Sequence, residues 1–282
     1  MSIYKGSMEP TYLYDERELG HIKNVPRDEW SKLWNTPIYQ ILPIRYLECL
    51  IKTKKLRFGN IFESWEDPYE LFFYKQNVLF ENKSIHDSWI NIAKHHYGQC
   101  WSSLRDSDAM WRIYSSDKRS VRIRTTFGKM MDVIYQVEGI VGLAPLFGKV
   151  HYLEQKDIIK WLKLTERKGW GRIIQSYGDS LFIKRKEFMH ESEYRFVLHE
   201  WTEFDGEKRS VRTHYDLDID PFNFIEEIAL DPRITPEEVK NISASINKYV
   251  DNKILIIQSD LYKFEPVTLH FYDEPIIINA RQ

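Results

Sequence analysis

The sequence predicts an α+β fold with a mixed sheet of many short strands. Short β-branched or aromatic runs are interspersed with helical ones, and a β-α-β unit stands near the C-terminal end. No Gly-, Ser- or Pro-rich linker divides the 282 residues, a length that suits one large domain or two small ones. Residues 1–35 read as a polar N-terminal extension with some helix, and residues 36–282 as a single domain.

PIYQIL (37–42) reads as a strand. PIRYLECLIKTKKL follows with Ile44, Leu47, Leu50 and Ile51 at helical spacing and lysines at its end, where they complement the helix dipole. LRFGNIF (56–62) predicts a second strand, ESWEDPYE a turn closed by Pro68, and the aromatic span 69–97 a mostly helical region. YGQCWSS (97–103) predicts a buried strand, SDAMWRIYS (107–115) a short capped helix, and VRIRTTF (121–127) a strand. Helices are expected over about 128–136 and 155–176, and strands at 180–186 and 193–201. FIEEIALDP is a strand and turn. Thr235, Pro236 and Glu238 then occupy the N-cap, first-turn and capping-box positions of a helix whose stripe is Val239, Ile242, Ile246 and Tyr249. KILIIQS closes the β-α-β unit.

A net charge of −2 offers no global field toward nucleic acid or anionic membrane. Two basic stretches stand out locally, KRSVRIR (118–124) and RKGWGR (167–172). Aromatic residues make up 15% of the chain, which suits either core packing or a ligand pocket. Cys49 and Cys100 lie in apolar or aromatic company without metal-ligand spacing, and are expected to be reduced and buried. With no run of about 18 apolar residues and no basic-then-apolar leader, the expected location is the cytoplasm. His95 and His96 are adjacent rather than at i and i+4, so no metal is expected. Ser102 lacks a G-x-S-x-G context and no glycine-rich phosphate loop exists, which sets aside serine-hydrolase and P-loop chemistry.

The run HESEYRFVLHE (190–200) is the oddest stretch. Strand periodicity puts Ser192, Tyr194, Phe196 and Leu198 on one face, and Glu191, Glu193, Arg195 and Val197 on the other. VRIRTTF likewise separates Val121, Ile123, Thr125 and Phe127 from Arg122, Arg124 and Thr126. The charged faces either look into water, the common antiparallel pattern, or meet across a cleft.

Several segments together resemble the bacterial domain-of-unknown-function family 2971 over about residues 37–257. They are Glu66-Asp67-Pro68-Tyr69-Glu70, Cys100-Trp101-Ser102, Met110-Trp111-Arg112-Ile113-Tyr114, and Lys184 followed by Glu191-Ser192-Glu193-Tyr194-Arg195. That family looks like a remote relative of the ADP-ribosyltransferase fold, in its nucleic-acid-modifying toxin branch. The resemblance implies a mostly antiparallel split sheet with flanking helices, and NAD as substrate with no metal. Glu193 would be the transition-state carboxylate and Glu191 its helper. Tyr39 and Gln40 of the opening, with Ser102, Met110, Trp111 and Tyr114, would wall the NAD pocket. Arg122, Arg124, Lys184 and Arg195 would contact cofactor phosphate or acceptor. Gln40 stands where such enzymes carry His or Arg, and Glu66 where the family usually has Asn. The implied role is an intracellular toxin or anti-phage effector with RNA or DNA as acceptor and an antitoxin or chaperone partner. The rival is a non-catalytic nucleotide- or partner-binding module on the same fold, which Gln40 favours. A nuclease, the third possibility, would need a divalent metal.

Overall fold

The computed structural model describes residues 13–14, 22–23, 32–65, 67–76, 79–80, 83–84, 86–166, 177–204 and 206–270. The elements that build the site are β1 (Pro37–Pro43), α1 (Ile44–Thr53), β2 (Lys55–Asn60), α2 (His86–Ala93), β3 (His96–Ser102), α3 (Asp108–Tyr114), β4 (Ser120–Thr126) and α4 (Phe127–Ile134). They are followed by β5 (Leu143–Lys149), β6 (His151–Leu153), α5 (Gln155–Glu166), β7 (Ile183–Arg185), β8 (Glu193–Glu200), β9 (His214–Asp218), β10 (Glu227–Leu230), α6 (Pro236–Val250) and β11 (Leu255–Gln258).

Nine of these strands form one mixed sheet, antiparallel except for the parallel β10–β11 pair, with helices packed around it. The sheet is split. One half runs β5-β8-β3-β2-β9 and the other β1-β4-β10-β11. β1 pairs with β4 over seven residues, but touches β3 at the single rung Tyr39↔Ser102. On that edge β3 pairs with β2 only at Gly98 and Tyr97, so Gln99 to Trp101 face a gap between the halves.

α1 forms as its periodicity predicts, burying Leu47, Leu50 and Ile51. Cys49 falls off that stripe and is exposed, not buried as expected; Cys100 is half-buried. β2 ends at Asn60, whose side chain accepts from the Phe62 amide and starts a one-turn helix at Ile61–Ser64. The span 69–97 is less helical than its composition implies. Asp67 accepts from the Tyr69 and Glu70 amides, and Leu71 takes a left-handed φ of 57°. Residues 68–75 are therefore turns, and Phe72, Phe73 and Tyr74 pack into a second core with Trp161 and Tyr177 instead of forming a helical stripe. Among the described residues of that span, helix is confined to α2.

α5 covers the first part of the region expected at 155–176; residues 167–176, which hold the whole RKGWGR stretch, and Glu66 lie outside the described residues. Extended backbone at 180–186 shrinks to β7, since residues 177–180 are helical. α6 carries its capping box: Thr235 Oγ1 accepts from the Glu238 amide at 3.3 Å, and Glu238 Oε2 accepts from the Thr235 amide at 2.8 Å. Its buried residues are Ile246 and Val250, with Val239, Ile242 and Tyr249 partly covered. No described helix is long and apolar enough to cross a membrane.

β8 is the strand between the two cores. Tyr194, Phe196 and Leu198 enter the main core, while Val197 enters the second one beside Ile183 and Trp161. Its charged face is thus roofed by Trp65, the 68–75 turns and the 177–185 segment. Glu193 and Arg195 are 5% and 1% exposed, so this face does not look into open water.

Candidate functional site

A cleft of about 680 Å³ opens where the half-sheets part. One wall is Tyr39, Gln40 and Ile41 of β1; the facing wall is Gly98 to Ser102 of β3. Met110, Ile113 and Tyr114 of α3 close one side, and Ser64, Trp65, Asp67, Glu70, Lys184, Phe188, His190, Glu191 and Glu193 complete the lining. Gln40 bridges the gap. Its Nε2 donates to Gln99 Oε1 at 2.7 Å and to the Cys100 carbonyl at 3.0 Å, satisfying a β3 acceptor that no strand reaches.

The carboxylates come from an irregular junction. Glu191 ends a 3-10 turn (Lys186–Glu191), Ser192 takes a left-handed φ of 44°, and β8 starts at Glu193. Ser102 Oγ donates to the Glu191 carbonyl at 2.6 Å and fixes this junction to β3. Both acidic side chains then converge on Lys184 of β7, whose Nζ lies 2.5 Å from Glu191 Oε2 and 2.6 Å from Glu193 Oε1.

Behind them, Arg195 donates from Nε to Glu193 Oε2 at 2.8 Å, from Nη1 to the Leu181 carbonyl, and from Nη2 to Glu70. Its guanidinium stacks on Trp65, 4.0 Å from the ring centroid. Lys184 also lies 3.4 Å from Glu70. Three buried carboxyls thus face two cations, leaving a surplus negative charge unless one carboxyl takes a proton.

The two glutamates respond in opposite ways. Burial, then the adjacent Glu193, pushes Glu191 up to about 7, with Lys184 opposing the rise. Burial also works against charge on Glu193, but Arg195, the hydrogen bond from Glu191, and Lys184 outweigh it and hold that carboxyl well below the usual range. Lys184 is raised despite burial, because Glu193 and Glu70 favour its charged form. Tyr114 donates to Glu191 Oε1 at 3.1 Å, and burial followed by that carboxylate keeps its phenol protonated well past the ordinary range. A permanently ionised carboxylate beside one titrating near neutrality is the division that acid–base and cation-stabilising chemistry requires.

Of the residues singled out in the sequence, Tyr39, Gln40, Ser102, Met110, Tyr114, Lys184, Glu191 and Glu193 line the cleft. Four do not. Trp111 is fully buried behind α3, its Nε1 donating to Asp106 at 2.9 Å. Arg122 is also buried, 2.5 Å from Asp106 and 2.7 Å from Glu227, because β4 is flanked by strands on both sides and its outward face is covered. Arg124 pairs with Glu226 at 3.3 Å. Arg195 stands behind Glu193, a positioning group rather than a surface one.

Glu70, Trp65 and Asp67 were missed as site residues. The acidic motif around Pro68 was their signal: Glu70 reaches Lys184 and Arg195, while Asp67 holds Arg185 through two hydrogen bonds of 2.7 and 3.2 Å. Lys184 is the one lysine or arginine in the described lining, and it faces Asp67, Glu70, Glu191 and Glu193 there. Such a lining complements a cationic or electron-poor group and offers no free ammonium or guanidinium to a pyrophosphate.

No family model and no curated protein matches the chain. Solved structures similar to it include Thermus sp. 2.9 DarT in complex with NAD+, at 13% identity and a TM-score of 0.34 over 80% of this chain and 96% of that one. The same protein in complex with ADP-ribosylated ssDNA gives 12% identity and 0.36 over 80% and 94%. Thermosipho africanus DarTG in complex with ADP-ribose gives 14% and 0.30 over 79% and 50%. Similarities this faint carry no argument about activity, which rests on the chain's own residues.

Proposed function

We propose that the chain is an NAD+-dependent ADP-ribosyltransferase of the domain-of-unknown-function 2971 type, a toxic or anti-phage effector whose acceptor is a nucleic acid. The observation that carries the reading is the Glu193–Lys184–Glu191 cluster in the wall of an acidic cleft, one carboxylate ionised and the other titrating near 7. The toxin role, the acceptor class and an antitoxin partner follow from the family resemblance.

The cationic nicotinamide and its ribose suit the acidic lining, with the pyrophosphate directed away from it. As the ribose C1′–nicotinamide bond breaks, nicotinamide leaves with the bonding pair and the ribosyl ring becomes oxocarbenium-like. Glu193 stabilises that developing cation, an interaction stronger in the transition state than in the ground state. The acceptor nucleophile closes its bond to C1′ and gives its proton to the Glu191 carboxylate. Lys184 and Arg195 keep Glu193 ionised and fixed.

Labelled NAD+ incubated with total RNA, DNA or lysate protein tests the reading: label is expected on nucleic acid, and expression is expected to arrest growth unless Glu193→Gln is introduced. Folded protein that neither transfers label nor consumes NAD+ would remove it. The rival, a non-catalytic binding module, is favoured by a specific observation: both Glu193 oxygens already accept from cations. NAD+ binding without turnover would select it.

A further inference from the structure

The basic stretch KRSVRIR is only partly used by the cleft's framework. Arg122 and Arg124 are paired with carboxylates, whereas Lys118 and Arg119 are exposed and, among the described residues, neither lies within salt-bridge distance of an acid. They line a second concavity of about 650 Å³ with Arg45, the second residue of α1. Two acids share this concavity. Glu238 Oε2 accepts from the Thr235 amide and hydroxyl, and those bonds, with the nearby Lys118 and Arg119, hold it below the usual carboxylate range. Asp117 accepts from the Arg119 amide at 2.9 Å, and three cations against two acids leave the groove net positive. The Ile44 amide donates to the Arg119 carbonyl at 3.1 Å and ties the two walls together.

This groove adjoins the cleft along two chain segments. Ile41 lines the cleft and Pro43 the groove, two residues or about 7 Å apart on an extended strand. On the other segment Tyr114 lines the cleft and Asp117 the groove. A chain of regularly spaced phosphates with one nucleotide at the cleft can continue along these segments into the groove, where Arg45, Lys118 and Arg119 are exposed, whereas the one cation in the described cleft lining, Lys184, is held by carboxylates. We infer that Arg45, Lys118 and Arg119 form the phosphate-backbone track for a single-stranded polynucleotide acceptor. The inference rests on the proposed acceptor class.

The test is fluorescence anisotropy of a labelled single-stranded oligonucleotide, with no NAD+ present, so that it reads independently of catalysis. The triple variant Arg45→Ala, Lys118→Ala, Arg119→Ala is expected to bind at least about tenfold more weakly at 0.1 M salt. Its dependence of log affinity on log salt should flatten by about 2, at 0.7 per lost phosphate contact. An unchanged melting temperature shows that the fold is intact, as expected for exposed side chains, and acceptor-free NAD+ hydrolysis should not change. Equal binding by variant and parent, an equal loss toward an uncharged peptide-nucleic-acid probe, or displacement of the oligonucleotide by an equimolar amount of inorganic pyrophosphate would each overturn it.

Discussion

At Glu193 both carboxylate oxygens accept from cations, Lys184 and Arg195, whereas Glu191 receives Lys184 and a neutral phenol. That difference gives the two residues distinct variants. Glu193→Gln is expected to lower NAD+ consumption about 100-fold or more, the usual effect of removing a group that meets transition-state charge. It also leaves Arg195 buried and underpaired, a loss of about 3 kcal/mol readable by urea unfolding. Glu191→Gln should abolish the rise in transfer rate through pH 7 while leaving NAD+ binding in place, as a pH profile would show. The stability signs are opposite. Glu193 is depressed in the folded state, so its contribution is complete above about 4.5 and is lost as pH falls. Glu191 is raised from 4.5 to about 7, so its contribution is complete below 4.5 and is lost as pH rises through 7. Unfolding free energy of Glu191→Gln should therefore lack the decline between those values.

At the scale of elements, the link from β1 to β3 across the gap leans on one side chain. Gln40→Leu removes the donor that serves Gln99 and the Cys100 carbonyl, and should cost about 1–3 kcal/mol while widening the gap between the halves. Gly128 in the first turn of α4 is as restrictive: a Cβ there would lie 2.3 Å from the Trp34 ring. Gly128→Ala should lower stability by about 1–3 kcal/mol, measured by thermal unfolding. Elements with strong local signals were legible from sequence: α1 by periodicity, α6 by its capping box, β4 by alternation. β5 escaped because LAPLFGK carries neither a clean period nor β-branched density, and β9 because HYDLD, though it alternates, is five residues long with two aspartates and no β-branched residue. The 69–97 span misled because aromatic residues serve a turn-rich core as well as a helix.

Across the whole molecule, the two cores share β8, so they should melt together: far- and near-ultraviolet circular dichroism are expected to give coincident transitions. Eight of the twelve singled-out residues converge on one cleft, and four of them, Met110, Tyr114, Glu191 and Glu193, come from the local patterns M-W-x-x-Y and E-x-E-x-R, carried there by a helix and by the junction of a 3-10 turn with β8. Arg122 failed for a non-local reason, since its partner Glu227 lies 105 residues away. Glu70 sits 125 residues from Arg195, and nothing in the alternation of β8 announces it.

The lone rung between Tyr39 and Ser102 also has a mechanical side. Two plates riveted at one point resist sliding along the strands better than rotation about the rivet, and here the spoke from β1 to β3 across the opening, among the described residues, is the Gln40 amide side chain. The backbone amide of Cys100, whose carbonyl faces the gap, should exchange with deuterium sooner than those of the fully laddered β4, and a ligand seated in the gap should slow it by acting as a second rivet.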